Sequence, residues 1–431
     1  FISPVSSITR GEETTLGKLI QKGQPISYPS QLKMGSIVYS TDSIIAILDG
    51  VHPNKFGGDE VERLRVRAAA RRLLARVESP YERAWGFCFE HPAVFAALQT
   101  CIDLGVWKAW TEVGGGKKTI HDLVALSGQG VDTNLLRRLF RLLAAFNVVE
   151  ETDQDTFKPT PFSYAIGDES TKVRASLEAA SQHYIAAGQS LPKYLAKIGY
   201  REPTSADDGN YVQSDPQGLN FFGRLQKSPE YYETFTGHME AWTAWKTPWT
   251  KIYDLGKLID GADLSKPFVV DVGGNTGIDI SHVLRAIPDL PAGALILQDL
   301  PEIIQKVHVD RKIKAQVHDF FKPQPAIRSR VYFMHAVFHD WPDAEATQIL
   351  HHTKNAMTKG YSKLFIYDIV LPQKGASISQ ATMDVQMMSL LSSSERTKSQ
   401  WENLLHGAGF HIVKFWSDPQ QYEMLIEAEI A

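Results

Sequence analysis

Two short stretches hold the residues best suited to chemistry. In KPFVVDVGGNTG a β-branched run ends in Asp271 and opens into Gly273, Gly274, Asn275 and Gly277, and a helix-like segment follows. A second apolar run, LILQD, then ends in Asp299. Glycines let backbone approach a ligand closely, and an acid closing the next strand can bind ribose hydroxyls, so the pair reads as the first half of a nucleotide-type α/β site. The other stretch, MHAVFHDWPD, contributes His339, with Asp368 in LFIYDIVLP and Glu395 just ahead of a later helix. A histidine with an unperturbed pKa near about 6.5 is able to accept a proton at neutral pH. A carboxylate behind it fixes the tautomer and stabilises the imidazolium. Alone, a histidine before Asp-Trp reads as structural. His351 and His352 lack acidic ligand spacing and read as exposed helix positions, so no metal site is expected.

The elements that must position these residues follow from periodicity. Strands are predicted at 268–272, 294–298, 314–318, 331–335, 363–369, 410–414 and 422–427, with helices between most of them. Asp271, Asp299, Asp319 and the His339 segment then sit at strand ends, where open α/β sheets bind ligands. The last two strands lack an intervening helix, which predicts an antiparallel final strand in an otherwise parallel sheet. Upstream, 59–85 reads as one arginine-rich helix. Three amphipathic helices and a two-strand wing follow, in winged-helix order, with Asp132 or Thr133 as N-cap of the third. The leucines of that third helix suggest burial against another protein surface, which favours dimerisation over DNA reading. From 173 to 253 the chain is helical and aromatic. PEYYETFTGHMEAWTAWKTPW reads either as core or as a wall of an apolar substrate cavity.

Composition narrows the class. The 431 residues allow two or three domains, and 43% hydrophobic with 22% charged residues is the make-up of a soluble globular protein. A net charge of −4 gives no reason to expect a nucleic-acid or anionic-membrane partner. The only cysteines are Cys88 and Cys101, with no CxxC, so neither a disulfide framework nor a zinc knuckle is available. No apolar run approaches membrane-spanning length and no secretory pattern opens the chain, so a cytoplasmic enzyme is expected. Phe1 in place of Met suggests a start after a removed segment.

DVGGNTG, QDLPEII, HDWPD, the IVLP strand end, SERT and GAGF together resemble the S-adenosylmethionine-dependent O-methyltransferases of the caffeate/flavonoid type, in the fungal natural-product branch. The resemblance implies an α/β class I methyltransferase architecture: a Rossmann-like seven-stranded sheet with an N-terminal helical winged-helix dimerisation domain. It divides the chain into an arm (1–58), the dimerisation domain (59–170), a helical connector lining the substrate pocket (171–253) and the cofactor-binding catalytic domain (254–431). It implies S-adenosylmethionine as cofactor, with Gly273 and Gly274 against its methionine part. Asp299 would hold the ribose hydroxyls, Leu300 the adenine side, Asp319 the adenine amino group and Phe320 the ring. His339 would be the general base, with Asp368 and Glu395 orienting it. Met239, Trp242, Met387 and Met388 are candidate acceptor-pocket residues by position, and a homodimer is expected.

Three departures stand out. Asn275 replaces a glycine, although Asn tolerates positive φ. Asp368 is one methylene shorter than the Glu of plant members, which puts its contact with His339 in doubt. His335 stands where plant members often place a Lys, which removes a fixed positive charge. The expected reaction is O-methylation of a small aromatic or polyketide-type natural product. The competing expectation is a methyltransferase-like pericyclase or dehydratase, in which the sulfonium charge assists ring closure and no methyl moves. A DNA-binding module is a third reading, disfavoured by the acidic balance.

Overall fold

The computed structural model describes residues 40–431. Most of the expected arm, 1–39, lies outside the described residues. The chain divides into two units, with the boundary at Asp59/Glu60. In the first, Ser40 caps a helix over Thr41–Asp49 by accepting from Ser43 N. The second unit is Glu60–Ala431.

The expected single helix at 59–85 is two, Glu60–Val77 and Pro80–Trp85. Pro80 restricts the residue before it, and Ser79 with Glu82 forms a capping box that restarts the helix. The following apolar stretch also divides, because Gly105 adopts φ +70° between His91–Asp103 and Val106–Glu112. Asp132 is the N-cap of Thr133–Ala145, its carboxylate accepting from Leu135 N at 2.9 Å. The wing has three strands, since Lys118–Thr119 joins Val149–Asp153 and Thr156–Pro159. The expectation that the third helix's leucines face another protein is corrected in part. Leu136, Phe140 and Leu143 are fully buried in this domain's own core with Trp107, Trp110 and Phe157.

The C-terminal part is a seven-stranded sheet of β1 (Val269–Val272), β2 (Leu295–Asp299), β3 (Ile313–Val317), β4 (Val331–His335), β5 (Lys363–Asp368), β6 (Phe410–Ser417) and β7 (Met424–Ile430). The spatial order is β6-β7-β5-β4-β1-β2-β3. β1 to β5 pair in parallel, while β7 runs antiparallel to both β5 and β6. β1 and β2 are buried along their whole length, as helices covering both faces of a parallel sheet require. Apolar side chains fill both faces: Ile366, Met334 and Trp401 on one, Phe333, Phe365 and Trp249 on the other. This is the class I methyltransferase arrangement, with an N-terminal helical domain. Among the described residues no helix is long and apolar enough to cross a membrane.

Candidate active site

The carboxyl ends of the parallel strands open into a cavity of about 420 Å³. After β1 the chain turns through Gly273 at φ +73° and Asn275 at φ 49°, and Gly277 at φ +76° starts the helix α1 (Ile278–Ala286). Gly274 is indispensable for another reason: an added Cβ would lie 2.5 Å from both Asp271 Cγ and Leu297 Cδ1. Gly274→Ala should therefore displace the loop and weaken cofactor binding at least tenfold in a calorimetric titration, with the fold retained by circular dichroism.

Gly273, Gly274, Asp299, Leu300, Asp319 and Phe320 all line this cavity. Asp299 is nearly buried; one oxygen accepts from Asn275 N at 2.8 Å and the other from Leu300 N at 2.7 Å. A carboxylate oxygen accepts more than one hydrogen bond, so each retains capacity for a ribose hydroxyl. Burial raises the Asp299 pKa to about 6, against the pull of those two N–H donors. Asp319 accepts from Phe321 N through one oxygen, leaving the other for a ligand amino group. Backbone that a Cβ would obstruct, a two-oxygen anchor and a phenyl ring lining one cavity fit the expected S-adenosylmethionine.

His339 also lines this cavity, in a short turn after β4. Its Nδ1 lies 2.9 Å from Glu395 Oε1 and 3.8 Å from Asp368 Oδ1. Only Glu395 is at hydrogen-bonding distance, and the shorter arm of Asp368 accounts for its gap. Arg396 explains why SERT accompanies HDWPD. Its guanidinium donates to Phe338 O at 2.8 Å, Trp341 O at 2.7 Å and Asp343 Oδ1 at 3.0 Å, clamping the turn that presents His339. Ser393 Oγ also donates to His339 O. The Asp340 carboxylate lies 3.5 Å from His339 Nε2.

Burial pushes the carboxyls here upward: Asp340 and Asp368 to about 7, and Glu395 well above the usual range. His339 opposes the rise at Asp340 and Asp368. An Asp whose folded pKa exceeds its unfolded one holds its proton more tightly when folded, so stability is greatest at low pH and is lost as pH rises toward 7. Asp368→Asn removes that titration. Its melting temperature should gain on the parent between pH 5 and 8; an unchanged difference across that range would count against the buried, ionising carboxyl. His339, Asp368 and Glu395 offer donor atoms within 4.8 Å of one another, a spacing a divalent ion could also use.

Met239, Trp242 and Met387 line the cavity, with Met383, Leu390, Phe221, Phe222 and Phe235. Met388 does not, and its expected pocket role is corrected: on the helix α2 (Ile378–Leu391), positions 383, 387, 390 and 391 share the cavity face, whereas 388 points about 100° away. Sequence reading missed Tyr184, Phe221, Phe222 and Asp340, and it placed Tyr232 and Phe235 only within the segment read as core or cavity wall. The spacing of Tyr232, Phe235, Thr236, Met239, Trp242 and Thr243 is the signal that marks one helical face.

The expectation that His335 removes a positive charge is also corrected. Burial alone would lower its pKa, but Asp279, with Nδ1 to Oδ2 at 2.6 Å, and Glu423, with Nε2 to Oε2 at 3.3 Å, outweigh burial and the neighbouring Lys246. The pKa rises to about 9, and the ring is cationic at neutral pH.

An O-methyltransferase domain model matches residues 212–411. The chain is 42% identical over 391 residues to O-methyltransferase ATR12 of Stachybotrys chlorohalonatus, covering 91% of this chain and 99% of that one. Among solved structures, LepI in complex with SAM is 24% identical with a TM-score of 0.82, covering 90% and 99% of the two chains. A structure described as a pericyclic reaction enzyme is 24% identical with a TM-score of 0.80, covering 91% and 100%. OxaC in complex with SAH and oxaline is 24% identical with a TM-score of 0.77, covering 90% and 98%.

Proposed function

We propose, because this chain belongs to the S-adenosylmethionine-dependent O-methyltransferase family of fungal secondary metabolism, that it methylates a hydroxyl of a small aromatic or polyketide-type natural product. The observation that carries this reading is the His339–Glu395 contact at the cavity wall. Gly273, Gly274, Asp299, Leu300, Asp319 and Phe320 would hold the cofactor, which supplies a methyl group on a positively charged sulfur.

The chain's own residues supply alignment and proton removal. The Nδ1 proton of His339 is shared with Glu395, which leaves Nε2, 3.5 Å from Asp340, to accept the acceptor's hydroxyl proton. Glu395 then stabilises the imidazolium, and Asp368 adds a second negative charge at longer range. Phe221, Phe222, Phe235, Met239, Trp242, Met383 and Met387 supply an apolar wall suited to a flat ring system, and they exclude water. The exposed Val77, Tyr81, Trp85, Phe87 and Phe89 support a homodimer, with a second copy covering them. We further propose a cytoplasmic setting and the fourfold division at 58, 170 and 253.

A second reading leaves the cofactor intact and uses its charge to assist dehydration or ring closure. The shape comparison supports it, since a structure described as a pericyclic reaction enzyme matches with a TM-score of 0.80. So do the raised carboxyls of Asp340 and Asp368, able to donate a proton near neutral pH. Incubation with S-adenosylmethionine and a panel of phenolic and enolic polyketides separates the readings. Transfer yields products heavier by one methylene with one S-adenosylhomocysteine each. Isomerised or dehydrated products with the cofactor unconsumed would replace it with the second reading. Dialysis against a chelator should leave turnover unchanged; loss restored by a divalent ion would instead assign His339, Asp368 and Glu395 to a metal.

A further inference from the structure

Beneath the acceptor wall runs a buried chain of alternating charge that the proposed chemistry does not use. Asp279 lies in the first turn of α1 and pairs with His335 at the end of β4. His335 meets Glu423, just ahead of β7, and Glu423 pairs with Lys246. Lys246 Nζ also lies 3.2 Å from His335 Nε2. The side chains of Lys246 and Glu423 are 2% and 1% exposed, far more deeply buried than an ordinary surface ion pair. The Lys246 ammonium rests over the face of the Trp242 indole. That indole stacks on two imidazoles: His335 at 5.8 Å and 29°, and His339 at 6.0 Å and 20°.

We propose that Lys246 is a positioning residue for the reaction: anchored by Glu423, it holds the Trp242 indole stacked over His339 and so fixes the plane of the base. Coulomb attraction in a dry interior makes the four-membered chain stiff. Removing one member leaves its neighbour's charge buried and bare, which is costly. An indole face also favours the cationic form of an imidazole stacked on it. The plate meets the ring face of His339, while Glu395, Asp368 and Asp340 approach its ring nitrogens. Because Asp279 and His335 also line the cavity, the same chain ties the cofactor-side helix to the acceptor wall.

This inference rests on the base assignment for His339, and its test has a readout that needs no turnover. The variants are Trp242→Leu, Lys246→Met/Glu423→Gln and the three changes combined. The double change removes one positive and one negative charge together, which keeps the fold better than Lys246→Met alone. In histidine-labelled protein, the His339 ring resonance is assigned by its loss in His339→Asn and followed against pH.

The expected result is a titration midpoint at least half a pH unit lower in Trp242→Leu and in the double variant, with no further fall in the combination. S-adenosylhomocysteine affinity should stay within threefold of the parent. On any polyketide of the panel that the parent methylates, the double variant's kcat should fall at least tenfold with KM within threefold. A lowered midpoint in Trp242→Leu beside an unchanged one in the double variant would overturn the role of Lys246. A midpoint unchanged in both would overturn the whole positioning scheme. Failure of the parent to methylate any panel member would count against the proposed function alone, because the titration stands without it.

Discussion

His339→Asn is expected to lower turnover by about a hundredfold to ten-thousandfold, the range that a positioned general base contributes. Asn keeps approximate volume and polarity, so Arg396 and Ser393 should still hold the surrounding turn through backbone carbonyls. Affinity for S-adenosylhomocysteine should remain within threefold, since the substitution leaves the Asp299 anchor and its backbone donors untouched. Loss of activity through a damaged fold would instead lower both quantities. Glu395→Gln should give an intermediate fall, because an amide orients the ring without offering a charge to the imidazolium. Retention of full methylation by His339→Asn would remove the base from the scheme.

Asp299→Ala is expected to cost the cofactor two hydrogen bonds to a carboxylate. At about 1.5 kcal/mol or more each, that is roughly a hundredfold or greater in Kd. Burial raises the carboxyl's pKa to about 6, and only the ionised form would accept from both ribose hydroxyls. Affinity in the parent should therefore be level above pH 7 and decline as pH falls through 6. Asp299→Asn should bind weakly and lack that decline. A titration in which Asp299→Ala binds as tightly as the parent would place the ribose elsewhere.

Much of the catalytic domain could be read from the sequence because its signals are local. β-branched runs closed by glycines or acids mark β1 and β2, and the absence of a helix pattern between 410 and 430 reveals the antiparallel end of the sheet. The motif residues Asp299, Asp319 and His339 are set at strand ends, so knowing the strands nearly places them. Helical phase was harder to read. Met387 and Met388 are equally apolar neighbours, and only tertiary packing decides which one faces the cavity. The division at Ser79–Pro80 was local and readable, but the continuous arginine pattern masked it.

Contacts between distant segments were not legible. Lys246 and Glu423 are 177 residues apart, in stretches that read as an aromatic helix end and a strand start. Nothing in either predicts a buried ion pair. The charge on His335 was misread for the same reason: its sign depends on Asp279 and Glu423, which join it only when α1, β4 and β7 assemble.

A crystal structure of the protein with S-adenosylhomocysteine bears most directly on whether donor and base share one chamber. The sulfur should lie in the cavity between the Gly273 turn and His339, facing Nε2 across a gap that admits one acceptor oxygen, with Asp299 on the ribose. A sulfur walled off from His339, or an imidazole whose Nε2 faces another layer, would contradict methyl transfer by this base.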